Sequence, residues 1–138
     1  MAIRGSRPRN RTPIRRLDEL RAGDCATATD EALNSIDALS SQAGAFEVLG
    51  WCDARAGQQK LAVAAMRNAQ RRDPGDWHYA YGLAVTQALA GQDPRPAAAQ
   101  ARRLNPLDPH LAALERAVRP NSAAKRRAAV VRLDIPFG

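Results

Sequence analysis

Residues 43–76 read AGAFEVLGWCDARAGQQKLAVAAMRNAQRRDPGD, and the fold of the chain is decided there. The first half, Ala43–Ala56, reads as one helix with Phe46, Leu49, Gly50 and Asp53 along one side. The second, Gln58–Arg71, repeats apolar residues at intervals of three and four, turning Leu61, Ala62, Ala65, Met66 and Ala69 inward. Gly57 stands between the two, where a helix end calls for a left-handed residue. Asp73-Pro74-Gly75-Asp76 then stops the second helix, turns the chain and caps the next one. The stretch is an antiparallel helical hairpin.

The hairpin recurs. RRDPGDW at Arg71–Trp77 and RRLNPLD at Arg102–Asp108 share paired basic residues, an Asp/Asn-Pro step, and an aspartate two residues past the proline. Pro74 and Pro106 hold equivalent places, with a second hairpin between them. A helix–turn–helix unit at roughly 34-residue spacing resembles a tetratricopeptide repeat. In residues 43–76 the repeat's early aromatic corresponds to Phe46 and its Leu-Gly pair to Leu49-Gly50. Its small residues correspond to Ala62 and Ala69, its bulky one to Met66 and its closing proline to Pro74. Asp53 departs, standing where the repeat has a tyrosine. Gly50, Ala62 and Ala69 are expected where helices approach closely, with Phe46 and Met66 filling the gaps. Residues 77–108 form a shortened copy, with Leu83-Ala84 at the Leu-Gly place and Ala98, Ala101 and Pro106 after it.

Outward from these units, Thr12-Pro13 starts a short helix carrying Ile14, Leu17 and Leu20, and Asp24 caps another over residues 25–40. Residues 12–42 are thus a degenerate first hairpin. Asp108-Pro109 opens a helix with Leu111, Leu114 and Val118 in one stripe. Residues 109–133 supply this capping helix and a basic segment, and residues 134–138 are a non-helical tail. The expected fold is all-α, with antiparallel helical hairpins stacked as a short tetratricopeptide-like solenoid. The competing reading is an alanine-rich bundle with incidental spacing.

Composition agrees. The 138 residues are 45% apolar, with alanine the commonest of these, and only 4% aromatic, which suits packed helices and disfavours a β-sandwich or barrel. The net charge of +7 is unevenly spread. Arg4, Arg7, Arg9, Arg11, Arg15 and Arg16 all precede Leu17, and no acidic group stands among them. Residues 1–11 read as a disordered basic arm able to attract phosphates without reading sequence, so a nucleic-acid partner is a weak alternative. The longest apolar run, Leu61–Met66, is far too short to span a bilayer. No export signal is read at the start, and the expected location is the cytoplasm, with association to a membrane protein left open.

A closer resemblance rests on Asp24-Cys25, EVLGWCDARAG, LAVAAMRNAQRRDPGDWHYAYGLA and AGQDPRPAAAQARRLNPLDP. Over residues 24–118 the chain resembles the tetratricopeptide-like C-terminal region of actinobacterial O-antigen ligase or polymerase-type membrane proteins. The resemblance implies an accessory part in membrane-linked cell-envelope polysaccharide assembly. The multi-pass membrane portion that would carry glycan chemistry is absent from this sequence, so no glycosyl transfer is carried over. A stand-alone relative, a fragment and a frame with a misassigned start all remain open.

No catalytic constellation is expected, and no cofactor or metal site. His78 and His110 sit in different helices without ligand spacing and are expected at surface or capping positions. Glu47 and Asp53 do not share a helix face and make a poor carboxylate pair. Cys25 and Cys52 are expected as two separate core thiols; a disulfide is the alternative if their helices pack antiparallel. The expected function is a protein-interaction scaffold binding a peptide or protein in a concave groove lined by the first helix of each hairpin. Glu47, Trp51 and Arg55 from the first unit and His78, Tyr81 and Val85 from the second are the candidate groove residues. The alternative for Trp51 and Tyr81 is packing between hairpins.

Overall fold

A computed structural model describes residue 17, residues 25–30 and residues 43–136. Six helices follow in order: α1 (Ala43–Arg55), α2 (Gln59–Arg72), α3 (Trp77–Leu89), α4 (Arg95–Leu104), α5 (Pro109–Val118) and α6 (Ala123–Val130). Residues 25–30 are also helical. The basic arm, most of the first hairpin and the last two residues lie outside the described residues.

Local chemistry fixes the hairpin ends. Gly57 and Gly91 both have positive φ, 82° and 79°. Around the first, Gln58 N–H donates to Asp53 C=O at 2.8 Å and Gly57 N–H to Ala54 C=O at 3.1 Å. Around the second, Gln92 donates to Gln87 at 2.8 Å and Gly91 to Ala88 at 3.2 Å. Both are the paired bonds of a glycine-terminated helix, which satisfy carbonyls that would otherwise have no partner.

The turns that join hairpins also match each other. Asp73 and Asn105 end α2 and α4 with nearly the same geometry, φ −143°, ψ 77° and φ −151°, ψ 75°. After the prolines, Asp76 N–H donates to Asp73 C=O and Asp108 N–H to Asn105 C=O, each at 3.3 Å. The Asp76 carboxylate accepts from His78 N–H at 2.9 Å and that of Asp108 from His110 N–H at 2.8 Å. Two turns built alike, bond for bond, make the interval between Pro74 and Pro106 a structural repeat.

Neighbouring helices pack in chain order, and α1 also packs on α3 and α3 on α5. Among the described elements α2 and α4 do not touch each other. The first helices of successive hairpins therefore form one continuous inner face, with the second helices outside. Small residues make this close stacking feasible. Ala62, Ala69, Ala80, Ala84 and Ala101 have no exposed surface, and Met66 fills the space between α1 and α3. A Cβ on Gly50 would lie 2.9 Å from Met66 Cγ, and one on Gly82 would lie 2.6 Å from its Sδ. Gly50 and Met66 thus take the places their sequence positions suggest. Leu61 does not: it is 57% exposed, because Ala62, Val63, Ala65, Met66 and Ala69 already fill the inward stripe of α2. Phe46 is half-buried beneath the Arg72 guanidinium, 4.3 Å from its ring centroid.

One finding corrects the expectations. Cys25 and Cys52 are joined in a disulfide with Cα atoms 5.5 Å apart, not set as separate core thiols. It ties the helical stretch at residues 25–30 to α1. The end of the stack departs from the hairpin order. α6 does not continue the outer layer; it packs on α3 as well as α5 and makes no contact with α4. The Ser122 hydroxyl caps it through Lys125 N–H, and Arg126 Nη1 donates to Pro120 C=O at 2.7 Å, holding the turn. Arg127 Nε donates to Leu89 C=O at 3.3 Å, placing a cation at the negative end of α3. The chain then runs across the inner face without regular structure, and Ile135, 6% exposed, joins the hydrophobic core.

Candidate functional site

The inner face is built from the starts and middles of α3 and α5. Asp76 and Asp108 cap these helices and also hold the ring of the histidine two residues on. His78 Nδ1 is 2.6 Å from Asp76 Oδ1, and His110 Nδ1 is 2.8 Å from Asp108 Oδ1. Trp77 lies between the two imidazoles, stacked on His78 at 4.0 Å between centroids and 5.9 Å from His110. Its edge meets Tyr81, 6.0 Å away. Together they form an aromatic platform where two parallel helices begin.

The C-terminal segment crosses this platform. Tyr81 Oη donates to the Asp134 carbonyl oxygen at 2.7 Å, and His110 Nε2 lies 3.8 Å from the Asp134 carboxylate. Leu133 packs against the core, and Ile135 lies within it. Pro136 restricts Ile135 to an extended backbone. Burial, more than anything else, drives the Tyr81 phenol well above its usual pKa, and the charges of Asp134 and Asp108 add to the shift. Burial raises the Asp108 carboxyl, but its bonds to the His110 backbone and ring outweigh that, so the net shift is downward. Tyr79, at 6% exposure on the same helix, is pushed up to about 12 by burial and then by the charges of Glu47, Asp76 and Asp73.

The structure places the six candidate groove residues as follows. Trp51 and Tyr81 are 1% exposed, Glu47 2% and Val85 3%, so these four side chains are enclosed rather than lining an open groove. Arg55 is exposed and His78 half-buried. Distant parts of the chain supply the cover: Cys25 and Leu17 pack against the core cluster that contains Trp51, and the residues around Asp134 cover Tyr81. Trp51 and Tyr81 thus follow the alternative of packing within the fold. Tyr81 and His78 do come together on the platform; Glu47, Trp51 and Arg55 belong to α1 and are not part of it.

Trp77, His110 and Asp134 are the functional candidates that sequence reasoning missed. The usable signal is the repeated Asp-x-His of Asp76–His78 and Asp108–His110, set one repeat apart like the two prolines. Asp134 carries no such signal, because its contact bridges 53 residues. Among the described residues no group of three or more His, Cys, Asp and Glu side chains is placed to hold a metal ion, and no helix is long and apolar enough to cross a membrane.

A cavity of about 410 Å³ opens elsewhere, lined by Arg95, Ala98, Ala99, Glu115, Val118 and Arg119. Its charged walls are already matched: Arg95 binds Asp93 and Asn121, and Glu115 meets Arg102 and Arg119. The inner face is therefore the stronger candidate. Comparison of the chain with protein-family models, curated proteins and solved structures finds no match. What the geometry shows is an all-α stack of hairpins with sequential packing, whose inner face meets a non-helical segment.

Proposed function

We propose that the chain is a non-catalytic protein-interaction scaffold of tetratricopeptide type, receiving a peptide or an extended protein segment on the inner face of α3 and α5. The observation that carries this is the hydrogen bond from Tyr81 to the Asp134 backbone. A platform with a phenol aimed at a main-chain carbonyl and rings beside it suits extended peptide: backbone bonds hold the strand and apolar pockets hold its side chains. His78, Tyr81 and Val85 belong to this site, with Trp77 and His110 added. The Asp–His pairs act as caps that orient their rings.

The test is to screen an array of extended peptides against the full chain and map each binder by backbone amide chemical-shift changes. Shifts clustered at residues 77–85 and 108–114 support the proposal. Shifts clustered around Arg95 and Arg119 overturn it. So does retention of duplex DNA that disappears with added salt or on deleting residues 1–11, if no peptide binds.

The disulfide favours a second reading, of location. Such bonds persist in oxidising compartments, and Cys25–Cys52 therefore suits the cell envelope better than the cytoplasm. That setting fits the accessory role in polysaccharide assembly suggested by the sequence resemblance. Alkylating free thiols in intact cells tests it: a chain recovered with both cysteines blocked is reduced and cytoplasmic.

A further inference from the structure

We infer that the peptide site on α3 and α5 is occupied in the resting protein by the chain's own C-terminal segment, and that the partner displacing it is an extended segment of the same chemistry, an acidic residue followed by an aliphatic residue and proline. This deepens the function proposed above and rests on it.

Three features of the structure define the occupant. The Asp134 carbonyl takes the Tyr81 hydroxyl at 2.7 Å, which fixes the main chain. The Asp134 carboxylate lies 3.8 Å from His110 Nε2, on the side of that ring away from Asp108. Ile135 is 6% exposed within the same core cluster as Tyr81, Leu111 and Leu114. The first contact reads backbone, the second an acidic side chain and the third an aliphatic one. Pro136 keeps the segment extended before it binds, which lowers the ordering cost.

The attachment is also weak enough to yield. Beyond α6 the segment has no regular structure, and its acidic side chain remains 59% exposed. It is held by one neutral hydrogen bond, the solvent-facing approach of Asp134 to His110, the buried Ile135 side chain and the partly buried Leu133. Being tethered, it sits at a high effective concentration, so a free peptide competes poorly until the tether is loosened.

The experiment uses the full chain and a fluorescent peptide of residues 131–138, VRLDIPFG. Ile135→Asp removes the aliphatic anchor from the resident segment, and Ile135→Ala does so more gently, with far-UV circular dichroism confirming that both variants are folded. The labelled peptide is expected to bind either variant at least about tenfold more tightly than it binds the wild type, in line with the loss of a buried aliphatic contact. Adding Tyr81→Phe should then weaken that binding about fivefold, as removal of one neutral hydrogen bond does. A scrambled peptide should not bind. Equal binding to wild type and both variants overturns the inference. If the folded variants bind other extended peptides at residues 77–85 but not this one, the inference fails and the peptide-binding function stands. If no extended peptide binds even the variants, both fail.

Discussion

The Sδ of Met66 lies 2.6 Å from where a Cβ on Gly82 would stand, and its Cγ lies 2.9 Å from a Cβ on Gly50. One fully buried methionine thus sets the distance between the first helices of two hairpins. On an open helix face, replacing glycine by alanine gains about 1 kcal/mol. Here overpacking outweighs that gain. Gly50→Ala and Gly82→Ala are each expected to destabilise the fold by about 1–2 kcal/mol. Because they share Met66, Gly82→Ala together with Met66→Ala should cost less than the two separately. Urea unfolding measures this; a Gly82→Ala protein more stable than the wild type contradicts it.

The disulfide closes a loop with a sequence separation of 27 residues. Chain-entropy reasoning gives such a link about 3.5 kcal/mol. Paired Cys25→Ala and Cys52→Ala substitutions, or reduction, should lower the unfolding midpoint accordingly. Thiol titration of the untreated, denatured protein should find no free thiol; two per chain would contradict the bridge.

Tyr79 and Tyr81 are the chain's two tyrosines, and burial raises both phenols. A phenol whose value is higher when folded than its unfolded value of about 10 keeps its proton better in the folded state. Its stabilisation is complete below pH ~10 and is lost as pH rises beyond that point. The unfolding midpoint should therefore fall above pH ~10, with phenolate absorbance developing only as the fold opens. Two tyrosines ionising near pH ~10 in an intact fold would contradict their burial.

Asp108 caps α5 and holds the His110 ring. Asp108→Ala should cost about 1 kcal/mol, whereas Asp108→Asn, which can still cap, should cost much less. The net downward shift of the Asp108 carboxyl gives its charge a stabilising effect above the unfolded value of about 3.9, lost as pH falls through its lower folded value. Asp108→Asn should flatten that acid loss. An equal acid response in both proteins would separate the cap from the charge.

How much is legible in the sequence depends on distance along the chain. Gly57, Gly91, Pro74 and Pro106 punctuate helices through their own backbone restrictions, so the hairpins and their turns can be read locally. Gly50 and Met66 are legible because the repeat pattern asks for a small residue facing a bulky one. Gly82 escapes the alignment that sets Leu83-Ala84 at the Leu-Gly place, although it follows Gly50 by the same interval that separates Pro74 from Pro106. The cover over the candidate groove residues is harder to read. Periodicity identifies the inner side of α3, but nothing local shows that a segment 53 residues later returns to Tyr81. The turn of α6 onto α3 brings Val130 into the core and Arg127 to Leu89, again long-range contacts.

The return of the C-terminal segment to Tyr81 is the central claim, and nuclear Overhauser spectroscopy on the full chain tests it most directly. Cross-peaks are expected from the Tyr81 ring protons to the backbone protons of Asp134 and Ile135, together with slow amide exchange through residues 77–85. Random-coil shifts at Asp134 and Ile135, with no cross-peak to Tyr81, would contradict it.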